Sequence, residues 1–227
     1  MEPAVDITTN YKAYLAELIG TFALTFIGGG SIAAGDANSL TGIALAHGLA
    51  IMTMIYALGH ISGIHINPAV TVSLLVGGKI RLGDAVAYII SQVIGAILAG
   101  FALLFVYNTA TQANNFLGTP GLGPNVGVLT GIIVEIILTF FLTLTVWGAA
   151  VDGRTAGPAV GLAIGMVVAM DILMGGPITG AAMNPARALG PAIASGHLDN
   201  WYVYWVGPIV GGVVAGLLYP SLFLRKI

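Results

Sequence analysis

Cysteine is absent from this chain, which excludes disulfides, thiolate metal sites and a cysteine nucleophile. Charge is scarce too. Only 7% of residues are Asp, Glu, Lys or Arg, where a soluble domain carries about 25%. A soluble chain of 227 residues needs a polar shell, and this one lacks the residues to build it. No basic patch accompanies the net charge of −2, so nucleic acid is not an expected partner. No nucleophile–base pair stands on a plausible scaffold, so an enzyme is not expected. Met1–Asn10 is polar and has no basic segment followed by a cleavage site, and it reads as a short tail before the first apolar run.

What the chain has is apolar sequence, 57% hydrophobic with 33 glycines. Small residues inside apolar stretches suit helices that pack closely in lipid. Six runs are long enough to span a bilayer, at about Tyr11–Ala34, Thr41–Leu58, Leu82–Tyr107, Asn125–Ala150, Gly157–Met174 and Trp201–Leu224. Two more, Pro68–Gly77 and Pro185–Ser195, reach only halfway across as helix. Each follows an Asn-Pro-Ala triplet: Asn67-Pro68-Ala69 and Asn184-Pro185-Ala186. Asn is a good N-cap and Pro suits the first helical turn, so each triplet predicts the start of a half-helix. Irregular backbone at membrane depth survives only where protein buries it or it lines a cavity. Two half-helices therefore imply a cavity.

The halves repeat. Glu17 matches Glu135, Gly48 matches Gly161, Asn67 matches Asn184 and Gly95 matches Gly211, at offsets between 113 and 118 residues. Three spans per half would invert the second copy, giving repeats of about 11–107 and 125–224 in one channel domain over 1–227. Inverted repeats place a shared site near the midplane, with half-helix N-termini facing it. Lys12, Lys79, Arg81, Arg154, Arg225 and Lys226 fall in the tails or alternate loops, which predicts cytoplasmic N- and C-termini. The outer loops around Asp36, Asn108–Pro124 and Asp199 hold no Lys or Arg. We expect 108–124 to cover a vestibule. Trp201, Tyr202, Tyr204 and Trp205 suit an interfacial belt.

With these features the sequence resembles the aquaporin, or major intrinsic protein, family. The carriers are Gly59-His60-Ile61-Ser62-Gly63-Ile64-His65-Ile66-Asn67-Pro68-Ala69-Val70-Thr71 and Thr179-Gly180-Ala181-Ala182-Met183-Asn184-Pro185-Ala186-Arg187. Glutamates in the first and fourth spans extend the match, which covers almost the whole chain. The resemblance implies an all-α membrane protein: a right-handed bundle of six spans plus two re-entrant half-helices, one pore per subunit, assembled as a homotetramer in a lipid bilayer, here the cell membrane. It implies passive conduction of water and small uncharged solutes such as ammonia or urea, with protons and ions excluded. No cofactor or metal is expected; His60 and His65 flank the first motif without a cysteine or second carboxylate nearby.

Asn67 and Asn184 are expected to point amide donors into the pore, the bland reading being N-capping alone. Arg187 is an intramembrane charge and so a functional candidate by default: a donor and cation repeller, or else half of an ion pair. Glu17 and Glu135 have two readings, a proton relay or an acceptor for re-entrant backbone N–H groups, and their matched places favour the second. His65 joins them as loop support. The family's filter positions fall on His47, Ile172, Ala181 and Arg187. His and Ile in the first two places resemble plant tonoplast members and, for the Ile, archaeal ones. The competing reading of His47 is a core histidine bonded to a neighbouring helix. Asp171, beside Ile172, either faces the vestibule or pairs with Arg187. Ala188 and Tyr204-Trp205 resemble water channels rather than glycerol facilitators, which remain the alternative within the family. A secondary transporter, needing cavity-facing carboxylates, is the alternative outside it.

Overall fold

The computed structural model describes residues 10–35, 39–152, 154 and 157–224, with backbone alone for 108–114. The polar tail before Asn10, together with Asp36, Arg225 and Lys226, lies outside the described residues.

Among the described residues all regular secondary structure is helical, without strands. The helices are α1 (Tyr11–Ala33), α2 (Leu40–Ser62), α3 (Pro68–Val76), α4 (Leu82–Asn115), α5 (Val128–Val146), α6 (Val160–Thr179), α7 (Pro185–Ser195) and α8 (Val203–Leu222). All but α3 and α7 are long and apolar enough to cross a membrane, α5 together with the π-helical turn that follows it. Many large apolar side chains are exposed, among them Phe105, Leu129 and Leu217. That inverts the soluble pattern and suits a lipid-facing surface. The chain is an integral multi-pass membrane protein.

Local chemistry sets the ends that matter. Asn67 caps α3 by accepting from Ala69 N, and Asn184 caps α7 by accepting from Ala186 N and Arg187 N. Pro68 and Pro185 take the first helical position, where a missing N–H costs nothing. The helices that precede the re-entrant loops both stop at a left-handed glycine, Gly63 after α2 and Gly180 after α6.

Packing repeats between the halves. α1 lies on α4 as α5 lies on α8, and each half-helix reaches across: α7 packs on α4 and α3 on α8. α2 and α6 cross where Gly48 meets Gly165. A Cβ on either would sit 2.5 Å from the other's carbonyl oxygen. Lipid offers no hydrophobic drive for helix pairing, so close backbone approach of this kind supplies the dispersion contact instead.

Several expectations need correction. α2 continues to Ser62 rather than Leu58, because Gly59 and His60 stay helical until Gly63 turns left-handed. α6 runs past Met174 to Thr179 with Pro177 inside it; spanning helices tolerate such a proline when neighbours re-satisfy the freed carbonyl. The segment 108–124 is only partly loop. α4 extends to Asn115, whose Nδ2 donates to Ile32 O and Ala33 O, and the next turn buries Leu117 completely. The aromatic belt loses Tyr204, which is 2% exposed, while Trp201 and Tyr202 are exposed.

Candidate functional site

The two re-entrant loops are unusual backbone. Gly63, Ile64 and Ile66 in one, and Gly180, Ala181 and Met183 in the other, all have φ between 42° and 81°. A β-branched residue at positive φ is a genuine outlier. Such strain costs about 1–3 kcal/mol per residue and persists only where the surroundings over-determine it.

The surroundings do so through two buried carboxylates. Glu17 accepts from His65 N at 2.9 Å, Ile66 N at 2.6 Å, Ser62 Oγ at 2.8 Å and Gln92 Nε2 at 2.8 Å. Glu135 accepts from Ala182 N at 2.9 Å, Met183 N at 2.8 Å and Thr179 Oγ1 at 2.7 Å. Both are fully buried. His65 adds a contact of its own, Nδ1 to Thr71 Oγ1 at 3.2 Å.

The asparagines do more than cap. Asn67 Nδ2 donates to Met183 O and Asn184 Nδ2 to Ile66 O, each at 2.8 Å, so each amide ties down the opposite loop. An amide has two N–H donors, and one on each asparagine is left over. The N-terminal ends of α3 and α7 meet here, which puts two partial positive charges at one place.

The asparagines also stand where two cavities join. One, of about 600 Å³, is lined mostly by aliphatic side chains such as Ile51, Val70, Leu142 and Ile164, with His60 and Lys79 as polar members. The other is a narrow space of about 20 Å³ lined by His47, Ile172, Ala181 and Arg187. Leu24, Ile51, Asn67, Leu142 and Asn184 line both.

Within the narrow space Arg187 donates to His47 Nε2, from Nη2 at 3.0 Å and Nε at 3.3 Å. Arginine is a donor only, so Nε2 must be the acceptor. His47 Nδ1 therefore carries the hydrogen, and it donates to Ile43 O at 2.9 Å. The ring is held at both nitrogens, by its own helix and by α7. Gly28 makes the room: a Cβ there would overlap the imidazole. Arg187 Nη1 is buried with no hydrogen-bond partner among the described residues.

Asp171 meets neither expectation. It is 2% exposed, Arg187 bonds His47 instead, and Asp171 Oδ2 has no hydrogen-bond partner among the described residues. A residue that sequence reasoning misplaced is Tyr204. Its hydroxyl donates to Thr179 O at 2.9 Å, as Tyr88 OH donates to Ser62 O at 2.9 Å. The signal was available, since 88 and 204 stand at the repeat offset.

Residues 4–219 match the family model for major intrinsic protein. The chain is 40% identical over 225 residues to Aquaporin TIP2-3 of Arabidopsis thaliana, covering 95% of this chain and 89% of the relative. It is 43% identical to Aquaporin TIP4-4 of Zea mays over 225 residues, 95% and 88% of the two chains. To the lens fiber major intrinsic protein of Lithobates pipiens it is 43% identical over 220 residues, 96% and 83%. An X-ray structure of the aquaglyceroporin from Plasmodium falciparum superposes with a TM-score of 0.85 at 26% identity, covering 94% of this chain and 97% of that one. A bundle of spans enclosing a pore between two half-helices defines a channel scaffold. The chain belongs to the major intrinsic protein family.

Proposed function

We propose how this chain, a passive water channel by family and relatives, selects what passes. The observation that carries the reading is the meeting of Asn67 and Asn184 where a wide cavity narrows toward Arg187. A water molecule reaching them finds two amide donors and two helix N-termini. It turns its oxygen toward the donors and its hydrogens away, which interrupts a donor–acceptor chain along the file. The same positive field, with Arg187 beyond it, opposes protons and cations. His47, Ile172, Ala181 and Arg187 form the filter: His47 and Arg187 make a polar wall, and Ile172 and Ala181 an apolar one. Pro68, Ala69, Pro185 and Ala186 fix the half-helix starts. Glu17, Glu135 and His65 are scaffold. The saturated hydrogen bonding of both glutamates supports that role over a proton relay.

Ammonia and urea are the further solutes we assign to this filter. Glycerol is the second reading, favoured by the likeness to an aquaglyceroporin and opposed by Ala188 and Tyr204. The repeats 11–107 and 125–224 form one channel domain. We place both termini in the cytoplasm of a cell-membrane protein; that Lys79 and Gly157 line the same cavity supports their loops sharing a side. A homotetramer follows from the family resemblance, and native mass spectrometry tests it.

The deciding experiment is stopped-flow light scattering on the purified chain in liposomes, with water, urea, glycerol and ammonia in parallel. Fast water flux with low activation energy supports the channel. Flux no greater than that of empty liposomes overturns it. Glycerol passing as readily as urea favours the second reading.

A further inference from the structure

We propose that Tyr204 is a positioning residue for the filter: its hydroxyl fixes the loop that carries Ala181 and leads into Arg187. The inference rests on the channel reading and extends it.

The two re-entrant loops share one plan but not one set of braces. In each, a helix-end hydroxyl serves the glutamate and a loop N–H, Ser62 to Glu17 with Ile64 N, and Thr179 to Glu135 with Ala181 N. In each, a tyrosine hydroxyl holds that same residue's carbonyl from outside. The first loop has more. Gln92 Nε2 donates both to Glu17 and to Thr71 Oγ1 at 3.0 Å, His65 bonds Thr71, and the His65 ring packs edge-on against Tyr88.

The repeat partners of those extra braces cannot make such bonds. Gln92 corresponds to Pro208, Thr71 to Ala188 and His65 to Ala182. Among the described residues, the side chains outside the second loop that hydrogen-bond its 179–183 stretch are Glu135, Asn67 and Tyr204. Just before this stretch, backbone Gly123 N donates to Ile178 O at 2.8 Å, and within it Gly180 N donates back to Gly176 O at 3.0 Å. Glu135 holds the loop's N–H groups and Asn67 its far end. Tyr204 alone of the three grips the carbonyl at the turn into Ala181. The loop with fewer braces is the one that carries the filter, so one hydroxyl there governs the width of the narrow space.

The test uses the full chain. Water and urea permeabilities are measured in liposomes for the unsubstituted protein, Tyr204→Phe and Tyr88→Phe. Tyr204→Phe should raise the urea-to-water ratio several-fold with water flux retained, and Tyr88→Phe should leave the ratio unchanged. A Tyr204→Phe channel that conducts water with an unchanged ratio overturns the proposal. Hydrogen–deuterium exchange on the unsubstituted protein decides independently of variant folding and of flux. Faster exchange at the amides of Ala181, Ala182 and Met183 than at Ile64, His65 and Ile66 supports the unequal bracing, and equal or slower exchange overturns it. A chain that passes no water would defeat the channel reading, while the exchange result would still decide whether the braces differ.

Discussion

Arg187 and His47, 140 residues apart, are joined by a pair of hydrogen bonds in which two guanidinium nitrogens, Nε and Nη2, donate to one imidazole nitrogen. The ring cannot turn away, because its other nitrogen is bound to Ile43 O and Gly28 leaves space for it alone. The polar wall of the narrow space is thus held from both sides.

His47→Ala removes that acceptor and the ring's volume together. We expect urea permeability to rise relative to water in liposome flux measurements, with the protein still folded. An unchanged ratio would show that His47 does not limit the narrow space.

The absence of cysteine makes mercury a clean probe. Mercurials should leave the unsubstituted channel conducting. Ala181→Cys places a thiol in the narrow space, and its flux should fall on mercurial treatment and return with a thiol reductant. Reversible block of the unsubstituted protein would contradict the reading.

Glu17→Gln replaces an acceptor of four hydrogen bonds with a group that is half donor. Each buried donor left unpaired costs about 1–3 kcal/mol. Thermal unfolding in detergent should therefore drop clearly, and flux per folded channel should drop with it as the backbone N–H groups of His65 and Ile66 lose their anchor. A protein as stable as the original would mean that the positive-φ loop does not depend on the carboxylate.

Gly48→Ala would force α2 and α6 apart at their crossing, where a Cβ meets the Gly165 carbonyl at 2.5 Å. Overpacking of this kind costs about 1–3 kcal/mol. Gly127→Ala, where a Cβ meets nothing within 4 Å, is the control. Comparable unfolding temperatures for the two variants would refute the close crossing.

Much of the architecture is legible in residue order. Spans follow from apolar length, and half-helices from Asn-Pro-Ala followed by about ten apolar residues. α7 begins and ends where its motif predicts, at Pro185 and Ser195. Helix ends governed by packing are less legible. The fifth apolar run reads as ending at Met174, yet α6 continues through Pro177 to Thr179. Tyr204 reads as an interfacial aromatic because it stands among Trp201, Tyr202 and Trp205, and only the buried carbonyl of Thr179 draws it inward.

Sequence alone determined the solvent, the count of spans, the two capped half-helices and which polar side chains the membrane must enclose. These depend on properties that act within a turn or along a run: apolar length, N-cap chemistry, scarcity of charge. Tertiary structure decided the pairings, with Asn67 on Met183, Asn184 on Ile66 and Arg187 on His47, and it left Asp171 buried with an oxygen unpaired. A hydrogen bond forms only within a few tenths of an ångström and a narrow range of angles. Placement that fine, between residues more than a hundred apart, comes from how whole helices pack.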